Sequence, residues 1–428
     1  MSVDTEAPVP AKGPSAGPAA GEPEATPTPW RKLLNAYLYG STWVVVLLAF
    51  VVSLVVGALF IALGDEPTRN ALGYFTQQPG DTFSRGWHAI SAAYSALFRG
   101  AILDRNSLYS NSGVPVLNPI SDTLADGAPL ILGGLSVGLA FRAGLFNIGG
   151  QGQVIAGAIS AGYVGFAWHL PSGLHMLVAV VAGALGGALW GGIAGFLKAR
   201  TGAHEVITTI MLNYIASYLL LYLLTVKGFQ TGESNQPLSR TVHKSALLWH
   251  IFGTNPRLRA NFGLIIALVA AVFCWWLLTR STLGFRLRAV GANQFAARTA
   301  GMSVASSYLV VMLIAGALCG LAGATQVLGV NNTLNGTIDA GIGFDAITVA
   351  LLGFASPGGI VAAGLLFGAL QAGSVQLYST TTTPQELVDI LRATIVLFIA
   401  APGLIRLIFR MREARGGGGS QLAKGWNG

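Results

Sequence analysis

Few residues of this chain are of a type that does chemistry, and most of those stand inside apolar surroundings. The stretch Gly144–Gln153 (GLFNIGGQGQ) sets the amides Asn147, Gln151 and Gln153 among four glycines. Asn213 and Gln326 each lie within a further apolar run, and GIGFDAITVALLG (Gly341–Gly353) puts Phe344 and Asp345 at the head of another. Amides are costly in lipid unless hydrogen-bonded, so they either bond across helices or line a cavity. Both roles stay open at this level. A Gly-rich phosphate cradle is excluded, because no G-x-x-x-x-G-K-[ST] pattern occurs. His204–Glu205 is followed by Val206–Ile207–Thr208 without a second His, which excludes H-E-x-x-H zinc chemistry. Cys274 and Cys319 both fall in apolar segments and imply neither a disulfide framework nor a metal site. No nucleophile–base pair stands out, so no catalytic residue is expected.

The elements that must position these residues are greasy. Of 428 residues, 53% are hydrophobic and only 10% charged, with mean hydropathy +0.61. A soluble domain carries about 25% charged residues, so a soluble enzyme is excluded. The 57 glycines fall inside apolar runs rather than in a repeat, which excludes collagen and Gly/Ser linker. The net charge of +8 sits between those runs and on no amphipathic face, which argues against nucleic acid as a partner. The composition predicts an all-α polytopic membrane protein of about ten transmembrane helices.

Trp43–Leu63 is an uncharged run long enough to cross a hydrocarbon core of about 30 Å. Further segments are expected near 123–141, 147–168, 176–197, 206–226, 261–279, 305–328, 344–355, 358–377 and 387–409. The short 344–355 stretch is expected to be a half-helix, tolerated where broken backbone lines a cavity. Residues 30–415 form the membrane domain. Pro/Ala-rich residues 1–29 cannot bury enough surface to order, and 416–428 are expected to be flexible. Lys and Arg place both termini on the cytoplasmic side, with Arg257 and Arg259, beside a span, arguing the other way. Asp126, Asp345, Asp389 and Arg392 are expected near span ends, Asp389 and Arg392 pairing at i, i+3.

Gly183, Gly187, Gly191 and Gly195 recur every fourth residue, and Gly316/Gly320 and Gly364/Gly368 repeat the spacing; such stripes let backbones approach closely. Gly343–Phe344–Asp345 echoes Gly144–Phe146–Asn147 after spans of opposite direction, as an inverted repeat requires, and the two breaks would then meet within the membrane. Trp87, Ile90, Tyr94, Leu97 and Phe98 make an amphipathic stretch expected to lie along the surface or to cap an outer vestibule. Lys198–Ala216 passes from loop to span, Thr201, Gly202 and Glu205 marking a helix start. The basic, acid-free loop Arg280–Ser303 carries a short helical core, Asn293–Ala300, bounded by Gly291 and Gly301. It is built to dock onto something.

The stretches GLFNIGGQGQ, TGAHEVITTIMLNYIA, RAVGANQFAARTAGM, and GFDAITVALLG followed by PGG and LLFGALQAG occur in this order over most of residues 123–376. Together they resemble the permease subunits of bacterial ABC importers of the branched-chain amino acid/ribose type, and within them the nucleoside-importer branch. The extended N-terminus and long first outer loop look like the longer of that branch's two permeases, and Gln151 stands where the family often has Glu. The resemblance implies a multi-pass protein of the bacterial plasma membrane that hydrolyses nothing itself and binds no cofactor. ATP and Mg would be held by a separate cytoplasmic ATP-binding subunit. That subunit would dock on the coupling loop, with Arg288, Gly291, Asn293, Ala297, Arg298 and Gly301, and drive alternating access by rigid-body helix motion. A second homologous permease would complete the pore, and a substrate-binding lipoprotein would deliver a nucleoside. For that substrate Asn147, Gln151, Gln153, Asn213, Gln326, Phe344 and Asp345 are the pathway candidates. A sugar or branched-chain amino acid is the alternative cargo, and an ion-coupled secondary transporter the alternative class. That class displays ionisable residues at mid-span.

Overall fold

Long runs of Leu, Val, Ala and Gly without charge can satisfy their backbone in an apolar medium only as helices, and helices are what they form. The computed structural model describes residues 42–104, 116–232, 237–253, 258–381 and 386–410; the tails 1–29 and 416–428, and Arg257, lie outside the described residues. The helices are α1 (Thr42–Gly64), α2 (Glu66–Leu72), α3 (Pro79–Ala101), α4 (Asn118–Arg142), α5 (Gly150–Ala167), α6 (Leu174–Thr201), α7 (Glu205–Leu223) and α8 (Gly263–Arg280). They continue as α9 (Thr282–Ala292), α10 (Gln294–Thr299), α11 (Val304–Gln326), α12 (Ile342–Leu352), α13 (Pro357–Thr380), α14 (Glu386–Ala400) and α15 (Pro402–Ile408). Among the described residues, seven helices are long and apolar enough to cross a membrane, and α12 is a shorter apolar helix of 11 residues. At 1.5 Å per residue α12 spans only about half a hydrocarbon core. The chain is an all-α polytopic membrane protein.

The expected 387–409 segment is not continuous. Pro402 lacks an N–H and disfavours helical backbone at the residue before it, and Ala401 leaves the helix at φ −116°, separating α14 from α15.

α4 is the hub, buried all round, with α8, α11, α12 and α13 packed on it. Glycine sets the spacing. The stripe on α6 faces that on α11, where a Cβ on Gly187 or Gly320 would collide with the facing backbone. Gly368 on α13 meets α4 the same way: its Cβ would stand 2.6 Å from the Thr123 carbonyl. These interfaces need glycine because their attraction is close van der Waals packing, with no water to expel.

α3 packs antiparallel to the second half of α1 and against α13. Leu97 is buried, the Tyr94 hydroxyl donates to the Leu54 carbonyl, and Trp87 and Phe98 face outward. Gly100 makes the approach to α13 possible, meeting Gly373. Ahead of it, the Tyr74 hydroxyl (2.7 Å) and then Arg85 (2.8 Å) hold the Asp81 carboxyl below its usual range.

Candidate substrate cavity and coupling element

A polar cavity of about 320 Å³ opens where α12, α13 and α14 meet. Phe344 and Asp345 reach it from the first turn of α12, Gln371 and Ser374 from α13, and Asp389 and Arg392 from α14. Arg392 is its organiser. Its side chain is only 10% exposed, with Nη1 3.2 Å from Asp389 and 3.7 Å from Asp345, while Nη2 donates to the side-chain Oε1 of Gln371. Its Nε is buried without a partner among the described residues. Phe344 leaves more than half of its surface free beside these charges.

The i, i+3 pair of Asp389 and Arg392 forms as the spacing predicts. Asp345 stands deeper in the bundle than a span end. Ala346, one residue beyond Asp345, packs against Gly133 well inside α4. The start of a half-length helix is a span end in sequence but an interior point in space. A second charged group lies near the N-terminal end of α4: Arg259 approaches Asp122 at 3.5 Å and Asp126 at 3.3 Å. Beside it Ala260 N–H donates to Ser121 Oγ, and Asn261 to the Gly329 carbonyl of the π-turn Val327–Asn331.

The amides of the first polar break do not reach the cavity. Asn147 and Gln153 exchange two hydrogen bonds, 3.0 and 3.1 Å, and Asn147 also accepts from Gly149 N–H. Asn213 of α7 donates to the Ile148 carbonyl at 2.9 Å and accepts from Gly152 N–H at 2.8 Å. All three are buried. Asn147 and Asn213 thus supply partners for the Gly149 N–H, the Ile148 carbonyl and the Gly152 N–H where the chain turns into α5, which is bonding across helices. Gln326 is buried where α11 runs into the π-turn and does not line the cavity. Gln151 is half-buried, its backbone against Gly343. The two breaks do meet, Gly343 against Gln151 and Gly150. They differ in use: Phe146 packs on Phe141, whereas Phe344 is open. Gln371 and Ser374 were not singled out by sequence, although Gln371 is the polar residue inside LLFGALQAG.

The loop between α8 and α11 folds as two helices at an angle. Asn293 ends α9 and caps α10, its side chain accepting from Phe295 and Ala296 N–H at 2.9 and 3.0 Å, as a good N-cap does. Gly301, at φ +79°, ends the turn in a conformation glycine adopts freely. Arg288, Arg298 and Phe295 are exposed, Phe295 by 74%. Ala297 is buried beneath them. Gly291 touches Gly144, and a Cβ on it would strike the Arg142 carbonyl. Gly291 and Ala297 therefore seat the element on the bundle, while Phe295 and Arg298 form its outer face.

Residues 120–400 match the family described as the permease component of branched-chain amino acid transport systems. The chain belongs to this permease family. Among its relatives, the guanosine ABC transporter permease protein of Bacillus subtilis is 39% identical over 77% of this chain and 91% of that protein. The nucleoside ABC transporter permease protein of Lactococcus lactis is 37% identical over 69% and 82%, respectively. The glucose ABC transporter permease protein of Haloferax volcanii is 35% identical over 65% and 75%. No solved structure matches. The permease is thus a multi-pass transport subunit and not an enzyme. As an ABC permease it belongs with an ATP-binding subunit and a substrate-binding protein. Its membership of an ABC permease family, rather than the pairing of its charges, sets it apart from an ion-coupled carrier.

Proposed function

We propose that this permease imports a nucleoside across the bacterial plasma membrane, as one of two homologous membrane subunits that alternate access around the α12–α13–α14 cavity. The observation that carries the reading is the 39% identity to a guanosine permease protein, sustained over 91% of that protein. The cavity chemistry supports it. The open ring of Phe344 offers a stacking face, and Asp345, Asp389, Gln371 and Ser374 offer acceptors and donors for a base edge and ribose hydroxyls. About 320 Å³ is at the lower end of small-molecule sites, which suits a substrate of this size.

Both termini and the Arg280–Ser303 loop face the cytoplasm in this reading, and a cytoplasmic ATPase docks on Phe295 and Arg298. The segment holding Arg259 faces a substrate-binding lipoprotein on the other side. The likeness to a glucose permease protein favours a sugar as the second reading. Competition separates the two. Cells expressing the complete importer should take up labelled guanosine, with excess unlabelled nucleosides suppressing uptake and glucose or leucine leaving it unchanged. Suppression by glucose alone would replace the nucleoside with a sugar.

A further inference from the structure

At the base of the coupling element, Arg280, Arg286 and Arg288 line a cavity of about 660 Å³ together with Ser281, Thr282 and Ser303. None of the three has a carboxylate partner among the described residues, and residues 280–303 contain no acid. The first turn of α9 opens on the same space. There Ser281 Oγ is engaged, donating to the Leu277 carbonyl at 2.7 Å and accepting from Gly284 N–H at 2.9 Å. The donors facing the space are therefore the guanidiniums, the Thr282 and Ser303 hydroxyls and the first N–H groups of α9, which have no acceptor within their own helix. Three guanidiniums gathered without a counter-charge repel one another, and packing alone gives no reason to collect them. Hydroxyls and guanidiniums around one space suit an anion with several oxygens, and arginine matches phosphate geometry in particular.

The source of that phosphate follows from the helix leading into the cavity. α8 is an apolar span that ends at Arg280. One turn at a time back from Thr279 and Arg280 stand Trp276, Val272, Val269 and Ile265, all exposed, and Phe285 adds a further exposed ring at the cavity wall. A soluble phosphate would use the charges and ignore this strip. Acyl chains would use both, and a tryptophan at the end of a span is a usual interfacial anchor.

We propose that this cavity seats the headgroup phosphate of an anionic phospholipid in the leaflet on the coupling-element side, its acyl chains lying along α8. Basic pockets at the membrane face of helical proteins bind such headgroups. The seat lies behind α10, so a bound lipid braces the joint between α8 and α9 without covering Phe295. The inference does not rest on the nucleoside reading, and lipid binding is measured without transport.

The test is native mass spectrometry of the full chain, purified in detergent, delipidated and offered phosphatidylglycerol or phosphatidylcholine of the same acyl chains. The chain should retain phosphatidylglycerol about tenfold or more over phosphatidylcholine. Each arginine near a membrane surface is worth about fivefold in affinity, so Arg280→Gln/Arg286→Gln/Arg288→Gln should erase the preference. Arg200→Gln, on α6 outside the cavity, should keep it. If the triple variant is not monodisperse, Arg280→Gln and Arg286→Gln singly should each lower retention of the anionic lipid. Equal retention of both lipids by the unaltered chain, or a preference that survives these substitutions, overturns the proposal. Equal loss in Arg200→Gln would mean diffuse charge attraction and overturns it as well. Displacement of the lipid by millimolar glycerol 3-phosphate overturns it in favour of a soluble phosphate ligand.

Discussion

Arg392→Gln is expected to cut substrate uptake by more than about tenfold, and Arg392→Lys to retain part of it. The buried guanidinium holds Asp345, Asp389 and Gln371 from three helices at once. Removing one partner of a buried pair typically costs about 3–5 kcal/mol, because the charge left behind is uncompensated. Asp389 is 71% exposed on its side chain and recovers water, so most of the penalty falls on Asp345, at 31%. Lysine restores the charge but not the fork that reaches several acceptors. Arg392→Gln combined with Asp345→Asn removes both members of the pair and should recover membrane abundance but not uptake. Initial uptake rates normalised to membrane protein level check this. Normal uptake by Arg392→Gln would remove the cavity from the pathway.

Phe295→Glu with Arg298→Glu should reduce uptake to background while the chain remains folded and monodisperse. Both side chains are exposed on α10, and surface substitutions of this kind usually change stability by less than about 0.5 kcal/mol. What they remove is an apolar ring and a positive charge from the face offered to the ATP-binding subunit. Co-purification with that subunit should be lost in parallel. Gly291 and Ala297 would be less informative targets. A bulky residue at Gly291 strikes the Arg142 carbonyl, and one at Ala297 enters a buried site. Loss of uptake there would report a displaced element as readily as a lost contact. Undiminished uptake in the double variant, with the ATPase still bound, would move the docking surface elsewhere.

Much of this was legible in the chain itself. Uncharged runs announced the helices, four-residue glycine spacing announced close-packing faces on α6, α11 and α13 though not their partners, and Asn293 between two glycines announced the capped turn at α10. Depth was not legible. Asp345 and Arg392 belong to different helices, and only the half-length of α12 carries the head of its sequence into the bundle beside α14. Nor could periodicity decide what an intramembrane amide does. Asn147 and Gln153 lie next to backbone that has left the helix, and their hydrogen bonds go to that backbone and to each other. Gln371, unremarked among glycines and leucines, meets the charges because α13 packs against α4 on the same side as α12. The amphipathic stretch of α3 is legible, but its partners α1 and α13 come from opposite ends of the sequence, and Trp87 and Phe98 of that stretch face outward.

The central claim is that this chain forms a pathway that another subunit drives. Proteoliposomes containing the permease, its partner permease and the ATP-binding subunit should accumulate labelled guanosine only with ATP on the coupling-element side and the substrate-binding protein on the other. Omitting the ATP-binding subunit should abolish accumulation even under an imposed proton or sodium gradient. Uphill uptake by the membrane subunits alone would contradict the account.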